Sequence, residues 1–200
     1  MNKIYKIGLV MLMAVLFTAN ITQAQTVQKK KIGEYPVFSL APYGGIQFPM
    51  GSLGETYKSS FNAGLDVNMK INKETSFFLN AGYYDMPLKS DRTGPAASFI
   101  AITAGPRYVF SSASVKAKFF LEAGLGVYIF GLKEHTTTVA PIVTTPSSST
   151  VNFGLNTGPG VVIPVSDAMD ILMKSKLHYV LNADGSSTFI SASIGLDFKL

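Results

Sequence analysis

Apolar and polar residues alternate one by one over long stretches of this chain. In the last segment Ile190, Ala192, Ile194, Leu196, Phe198 and Leu200 are apolar, and Ser191, Ser193, Gly195, Asp197 and Lys199 lie between them. An early segment sets Phe61, Ala63, Leu65, Val67, Met69 and Ile71 against Asn62, Gly64, Asp66, Asn68, Lys70 and Asn72. Successive side chains on a strand point to opposite faces, so each segment has one greasy face and one polar face. Six more segments follow the rule less cleanly. Their apolar faces carry Phe38 to Phe48, Phe77 to Tyr83, Ile100 to Phe110, Phe119 to Ile129, Val151 to Ile163 and Ile171 to Leu181. Their polar faces carry Ser39, Tyr43 and Gln47, then Asn80 and Tyr84, Thr103 and Arg107, Lys118, Glu122 and Tyr128, Asn152 and Asn156, and Asp170, Lys174, Lys176 and His178.

The segments run roughly ten to fourteen residues. A soluble strand has about five or six, and a tilted membrane strand needs about nine to eleven. The connections 72–74, 111–114 and 164–167 are short, whereas 49–58, 85–95, 131–149 and, more modestly, 182–187 are longer. Long and short connections therefore alternate, as in an up-and-down barrel with tight turns at one end and loops at the other. The pattern predicts an all-β fold, an eight-stranded antiparallel up-and-down transmembrane β-barrel. Outward aromatics are expected in two belts. Phe38, Phe77, Tyr108, Phe110, Phe119 and Phe198 fall near the turn end, and Phe48, Phe61, Tyr83 and Tyr179 near the loop end. Trp, which usually shares that role, is absent.

The first residues bear on the compartment. Lys3 and Lys6 precede the apolar run Ile7 to Phe17, broken only by Gly8, and Thr22-Gln23-Ala24 places small residues where a signal peptidase inspects them. That run of eleven residues is short of the roughly 17 to 25 that a spanning helix needs. Residues 1–24 are expected to be a cleaved signal peptide, with the cut between Ala24 and Gln25. Residues 25–35 are expected to be a flexible periplasmic lead, and 36–200 the barrel. The chain has no Cys, which excludes a lipid anchor on Cys, a disulfide and a thiolate metal site. Loss of Lys3 and Lys6 lowers the formal charge from +5 to +3. The remaining cations are spread along strands, which does not argue for nucleic acid.

The chain resembles the outer-membrane β-barrel domain family, in particular the small OmpA/OmpX-like "porin family" barrels of Gram-negative bacteria. The residues that carry the likeness begin with Thr22-Gln23-Ala24-Gln25 and with Pro42-Tyr43-Gly44-Gly45 leading to Phe48-Pro49-Met50-Gly51. The pairs Ala63-Gly64, Ala81-Gly82, Ala104-Gly105 and Ala123-Gly124 and the closing Gly195-Leu196-Asp197-Phe198 complete it. The resemblance implies an outer-membrane location, with lipid and the barrel-insertion machinery as partners. Members commonly end in an aromatic residue read by that machinery; here Phe198 stands two before the final Leu200.

Side chains nearly fill the lumen of an eight-stranded barrel. The inward faces carry Asp66, Lys70, Arg107, Lys118, Glu122, Asp170, Lys174 and Asp197, with Lys176, His178 and Lys199 on the same side. Buried charges are tolerated only when paired. A salt-bridge network is predicted in the lower half of the lumen, with Arg107 and Glu122 on adjacent strands as its leading pair. Neither His178 nor His135 has a spacing that ties it to a nucleophile, so no catalytic residue, cofactor or metal ligand is assigned. Gly158-Pro159-Gly160 is not a phosphate loop, because no helix follows it. The polar, Pro-punctuated segment 131–149 is the expected surface for an extracellular partner. The leading function is a non-enzymatic barrel with a structural or surface-interaction role. A small porin conducting ions or small solutes is the alternative, and conductance separates the two. A soluble periplasmic lipocalin-like carrier comes third and would need no detergent.

Overall fold

The computed structural model describes residues 35–110, 117–136, 144–183 and 185–200. The expected signal peptide and most of the expected lead lie outside the described residues, as do the expected turn 111–114 and the middle of the segment 131–149. Within Tyr35–Lys199 the strands are β1 Val37–Met50, β2 Ser60–Lys70, β3 Thr75–Met86, β4 Ala97–Phe110, β5 Lys118–Leu132, β6 Ser148–Pro164, β7 Met169–Asn182 and β8 Gly185–Lys199. Each pairs antiparallel with its chain neighbours, and β8 closes on β1 with Phe48 opposite Ile190. Closure pairs every strand on both sides through the middle of the barrel, which a sheet within lipid requires.

The turns follow from local chemistry. In 71–74 the Asn72 side-chain oxygen accepts from the backbone N–H of Glu74 (2.9 Å) and of Thr75 (2.7 Å), the self-bonding that makes Asn a turn residue. Between β6 and β7 the backbone N–H groups of Val165 and Ser166 both donate to the Met169 carbonyl. Two expectations need correction. Segment 182–187 is no loop: β7 runs to Asn182, β8 starts at Gly185, and these two residues face each other across the ladder. Gly185 has φ +140°, a conformation open to glycine and few others, and Asn182 donates from Nδ2 to Ser187 Oγ at 2.7 Å. Segment 49–58 is not a plain loop either. It contains a short helix, α1 Gly51–Thr56, whose Leu53 is buried.

The outer wall is apolar. Phe38, Phe77, Tyr108, Phe110, Phe119 and Phe198 are exposed toward the turn end, with the Tyr108 and Phe110 rings 5.1 Å apart. Phe48, Phe61 and Tyr179 are exposed toward the loop end, and the Tyr83 ring lies 5.9 Å from that of Phe61. Leu79, Ile102, Leu121, Leu125, Leu155, Met173 and Ile194 are exposed between the belts. A continuous apolar band between two aromatic belts is a surface for lipid, not water. Glycines on the inward face make room for large rings. A Cβ on Gly82 would stand 2.6 Å from the Tyr43 hydroxyl, and one on Gly124 would stand 2.7 Å from the Phe78 ring. Two of the repeated Ala-Gly pairs therefore place Ala toward lipid and leave space for a ring inside.

Candidate functional site

The lumen is filled in tiers, and the strands set each tier by parity. Toward the loops the inward residues are rings and aliphatics: Tyr84, Met86, Phe99, Tyr128, Val180 and Phe189, with Leu53 and Tyr57 brought down from α1 and its C-cap. Phe189 lies against Phe99 (5.4 Å, 21°), Tyr84 (5.1 Å) and the His178 imidazole (4.3 Å, 6°). Backbone bonds tie this cap together. Lys58 N donates to Pro87 O (3.0 Å), and Lys89 N to Thr56 O (3.1 Å).

One level down, polar groups take over. His178 is buried, with Nδ1 3.0 Å from the Tyr128 hydroxyl and Nε2 3.0 Å from Ser191 Oγ. Asn156 Nδ2 donates to the same tyrosine oxygen at 3.3 Å. The Ser191–His178 contact has the reach of a nucleophile and its base, yet both groups are sealed under the aromatic cap. That arrangement holds both buried side chains in place.

The centre holds five buried charges: Asp66, Glu122, Arg107, Lys174 and Lys176. Arg107 Nη2 lies 2.6 Å from Glu122 Oε2 and 3.6 Å from Asp66 Oδ2, and Nε donates to Glu122 Oε2 at 2.7 Å. Lys174 pairs with Asp66, and Lys176 Nζ lies 2.7 Å from Glu122 Oε1. Three cations face two carboxylates, which leaves a net +1. Rings from β5, β1 and β3 meet the excess. Arg107 stands 4.4 Å over Phe120, Lys174 4.0 Å over Tyr43, and Lys176 4.1 Å over Phe78, where the ring quadrupole attracts a cation. Asn80 Nδ2 donates to Asp66 Oδ1 (2.6 Å) and to Tyr43 (2.8 Å).

A second charged group sits toward the turn end. Lys199 Nζ lies 2.8 Å and Lys70 Nζ 3.9 Å from the Asp170 carboxylate, and Asn68 Nδ2 donates to Asp197 at 3.3 Å. The eight predicted lumen charges thus divide. Asp66, Arg107, Glu122 and Lys174 stand in the central group, and Lys70, Asp170 and Asp197 in the lower one. Lys118 joins neither. It is the first residue of β5 and is exposed, because at a strand end its long stem carries the ammonium to water at no desolvation cost. His135 lies in a two-residue ladder, His135–Thr136 with Thr144–Thr145, away from His178. Among the described residues no group of three or more His, Cys, Asp or Glu side chains is placed to hold a metal ion.

Sequence reasoning did not assign the cap. Phe99 shares parity with Thr103 and Arg107, and Phe189 with Ser191, so both were detectable as inward rings. The descent of Leu53 and Tyr57 had no such signal. A depression of about 580 Å³ lies outside the lumen, on the lipid-facing wall between Ile46, Phe119, Pro159, Met173 and Ile194.

No protein-family model and no curated relative matches the chain in sequence. Solved structures do match it in shape. Neisserial surface protein A superposes with a TM-score of 0.62 at 16% identity, covering 82% of this chain and 97% of that one. A major outer membrane protein from Thermus thermophilus gives 0.63 at 12% identity, over 84% of this chain and 100% of that one. The N-terminal β-barrel domain of Pseudomonas aeruginosa OprF gives 0.51 at 13% identity, over 82% and 98%. The chain has the fold of a small outer-membrane β-barrel, and its wall presents the surface that such a fold presents to lipid.

Proposed function

We propose that the protein is a closed, non-enzymatic barrel of the outer membrane that serves a structural and surface-interaction role. The observation that carries the proposal is the double filling of the lumen, an aromatic cap stacked on a paired charge cluster. An ion crossing the barrel would have to part the Arg107–Glu122 pair and then displace Phe189 from between His178 and Phe99. Both obstacles are buried and mutually supported, which favours a plug over a path. With the lumen closed, the loops are the part of the protein left for recognition.

The test is conductance of the refolded mature protein in a planar bilayer. Folding is checked first by the shift in gel mobility between boiled and unboiled samples. The expected result is a mobility shift and an electrically silent bilayer. Steady conductance steps that Glu122→Gln alters would replace this proposal with the small-porin reading.

A further inference from the structure

Among the described residues the lumen holds four buried carboxylates, and they are not neutralised alike. Asp66 faces Arg107 and Lys174. Glu122 faces Arg107 and Lys176. Asp170 faces Lys70 and Lys199. Asp197 is 1% exposed, yet it forms no ion pair among the described residues, and its side chain receives only the neutral Asn68 amide at 3.3 Å. It also stands directly opposite Asp170 in the β7–β8 ladder. Like charges opposite one another across a ladder are destabilising, and a buried carboxylate needs a counter-charge. A cation between the two aspartates removes both costs.

Two further oxygens lie beside them. Ser39 on β1 and Asn68 on β2 face each other across the ladder, and both are buried. Asn68 Nδ2 is shared between Asp197 and Ser39 Oγ, the latter 3.5 Å away, while Asn68 Oδ1 is buried with no partner. Turning this amide over exchanges its oxygen and nitrogen on nearly the same positions. Oδ1 then points toward Asp197, an arrangement that two acceptors tolerate only with a positive charge between them. The set holds two carboxylates, one amide oxygen and one hydroxyl, all of them the oxygen ligands of hard cations. They come from four strands at spacings that the ladder fixes. Calcium tolerates such an irregular set and completes its shell with water, whereas magnesium demands a near-ideal octahedron.

We propose that Asp170, Asp197, Asn68 and Ser39 bind a calcium ion admitted from the turn end of the barrel, in exchange for the ammonium groups of Lys70 and Lys199. The exchange conserves charge, because two single positive charges leave the carboxylates and one double charge arrives. The lysines are free to leave. Their side chains are already 31% and 27% exposed, and a lysine stem carries its head to water readily. The central cluster offers no such exchange, since Lys174 and Lys176 are fully enclosed. The ion ties β7 and β8 to β1 and β2 across the seam where the barrel closes. The proposal is independent of whether the lumen conducts.

The test is equilibrium dialysis of radioactive calcium against the refolded mature protein, stripped with a chelator and held in an uncharged detergent. Uptake of a single ion per chain is expected, with a dissociation constant of about 0.1 to 1 mM. Asp197→Asn is expected to weaken uptake about tenfold, since calcium affinity follows the charge of the ligands. Lys199→Met is expected to tighten it about threefold, because the ammonium that competes for Asp170 is gone. Lys118→Met, exposed at the same end and in neither charged group, should leave it unchanged. The gel mobility shift shows that each variant is folded; should Asp197→Asn fail that check, Lys199→Met decides alone. No uptake by the wild type, undiminished uptake by folded Asp197→Asn, or no tightening in Lys199→Met would overturn the proposal. The wild type should also unfold at higher urea in calcium chloride than in sodium chloride of equal ionic strength, and Asp197→Asn should not. A midpoint that rises equally in both proteins places the ion elsewhere and overturns the proposal as well.

Discussion

The loop-end half of the lumen and its centre are filled by opposite chemistry. Above, Phe99, Tyr84, Tyr128 and Phe189 pack ring on ring around His178. Below, Arg107, Lys174 and Lys176 interlock with Asp66 and Glu122. The rings could face either side of the wall, since lipid accepts an aromatic as readily as a core does. The charges could not. A one-residue slip of a strand sends its whole inward set outward, and an Arg or Lys facing the middle of the bilayer costs about 2 to 4 kcal/mol. The central cluster therefore selects the register of β2, β4, β5 and β7, while the cap closes a barrel whose register is already chosen. A buried ion pair adds little net stability when intact, but losing one partner is costly. The cap, by contrast, should lose stability in proportion to the atoms removed.

The largest expected effect follows from that asymmetry. Glu122→Ala leaves Arg107 and Lys176 facing each other with only Asp66 nearby. The loss should be about 3 to 5 kcal/mol, read as a lower urea midpoint for unfolding in detergent, with the gel mobility shift as the probe. Combining Glu122→Ala with Arg107→Met should cost less than the two single losses added, because the partners are coupled. If Glu122→Ala unfolds at the wild-type urea concentration, the cluster does not hold the register.

Phe189→Ala tests the other half. It removes the ring held between His178 and Phe99, with an expected loss of about 3 kcal/mol from transfer and cavity together. The variant should remain electrically silent, since the cluster beneath is intact. Conductance steps in Phe189→Ala but not in the wild type would make the cap the seal and the cluster only a framework.

The two halves were unequally legible in the sequence. Strict alternation assigned the faces of the strands, and with them the inward placement of Asp66, Arg107, Glu122 and Lys174 beside the outward belts. That information is local, because one strand's parity needs no knowledge of its neighbours. The grouping of the charges was not local. Lys174 meets Asp66 across 108 residues of chain, and the split between a central and a lower group depends on strand stagger. Lys118 shows where parity fails, since at a strand end a long side chain can leave the face it is assigned. Loop lengths misled at 182–187, where Ser186 and Ser187 look like loop residues yet extend the β8 ladder. The helix α1 gave no signal, because Gly51 to Thr56 is too short to display a helical period.

The smallest expected effect concerns the rim that joins the two sides of the cap. Lys133, just past β5, donates from Nζ to Asp85 Oδ1 at 3.0 Å. Asp85, on β3, also accepts from Ser60 Oγ at 3.0 Å and from the Tyr83 hydroxyl at 3.3 Å. The bond to the Asp85 carboxylate raises the Lys133 pKa above its ordinary 10.5. A raised lysine pKa means that the folded state holds the proton more tightly than the unfolded chain. The contribution is then complete below about pH 10.5 and is lost as pH climbs through the folded value. The side chain is half in water, so solvent screening keeps the gain below about 1 kcal/mol. Lys133→Met should therefore unfold at slightly lower urea than the wild type at about pH 8, and the two midpoints should converge at a pH above the folded pKa of Lys133. A difference of the same size at both values would show that the lysine stem, and not its charge, supports the cap. That outcome would extend the graded apolar behaviour of the loop end to the rim.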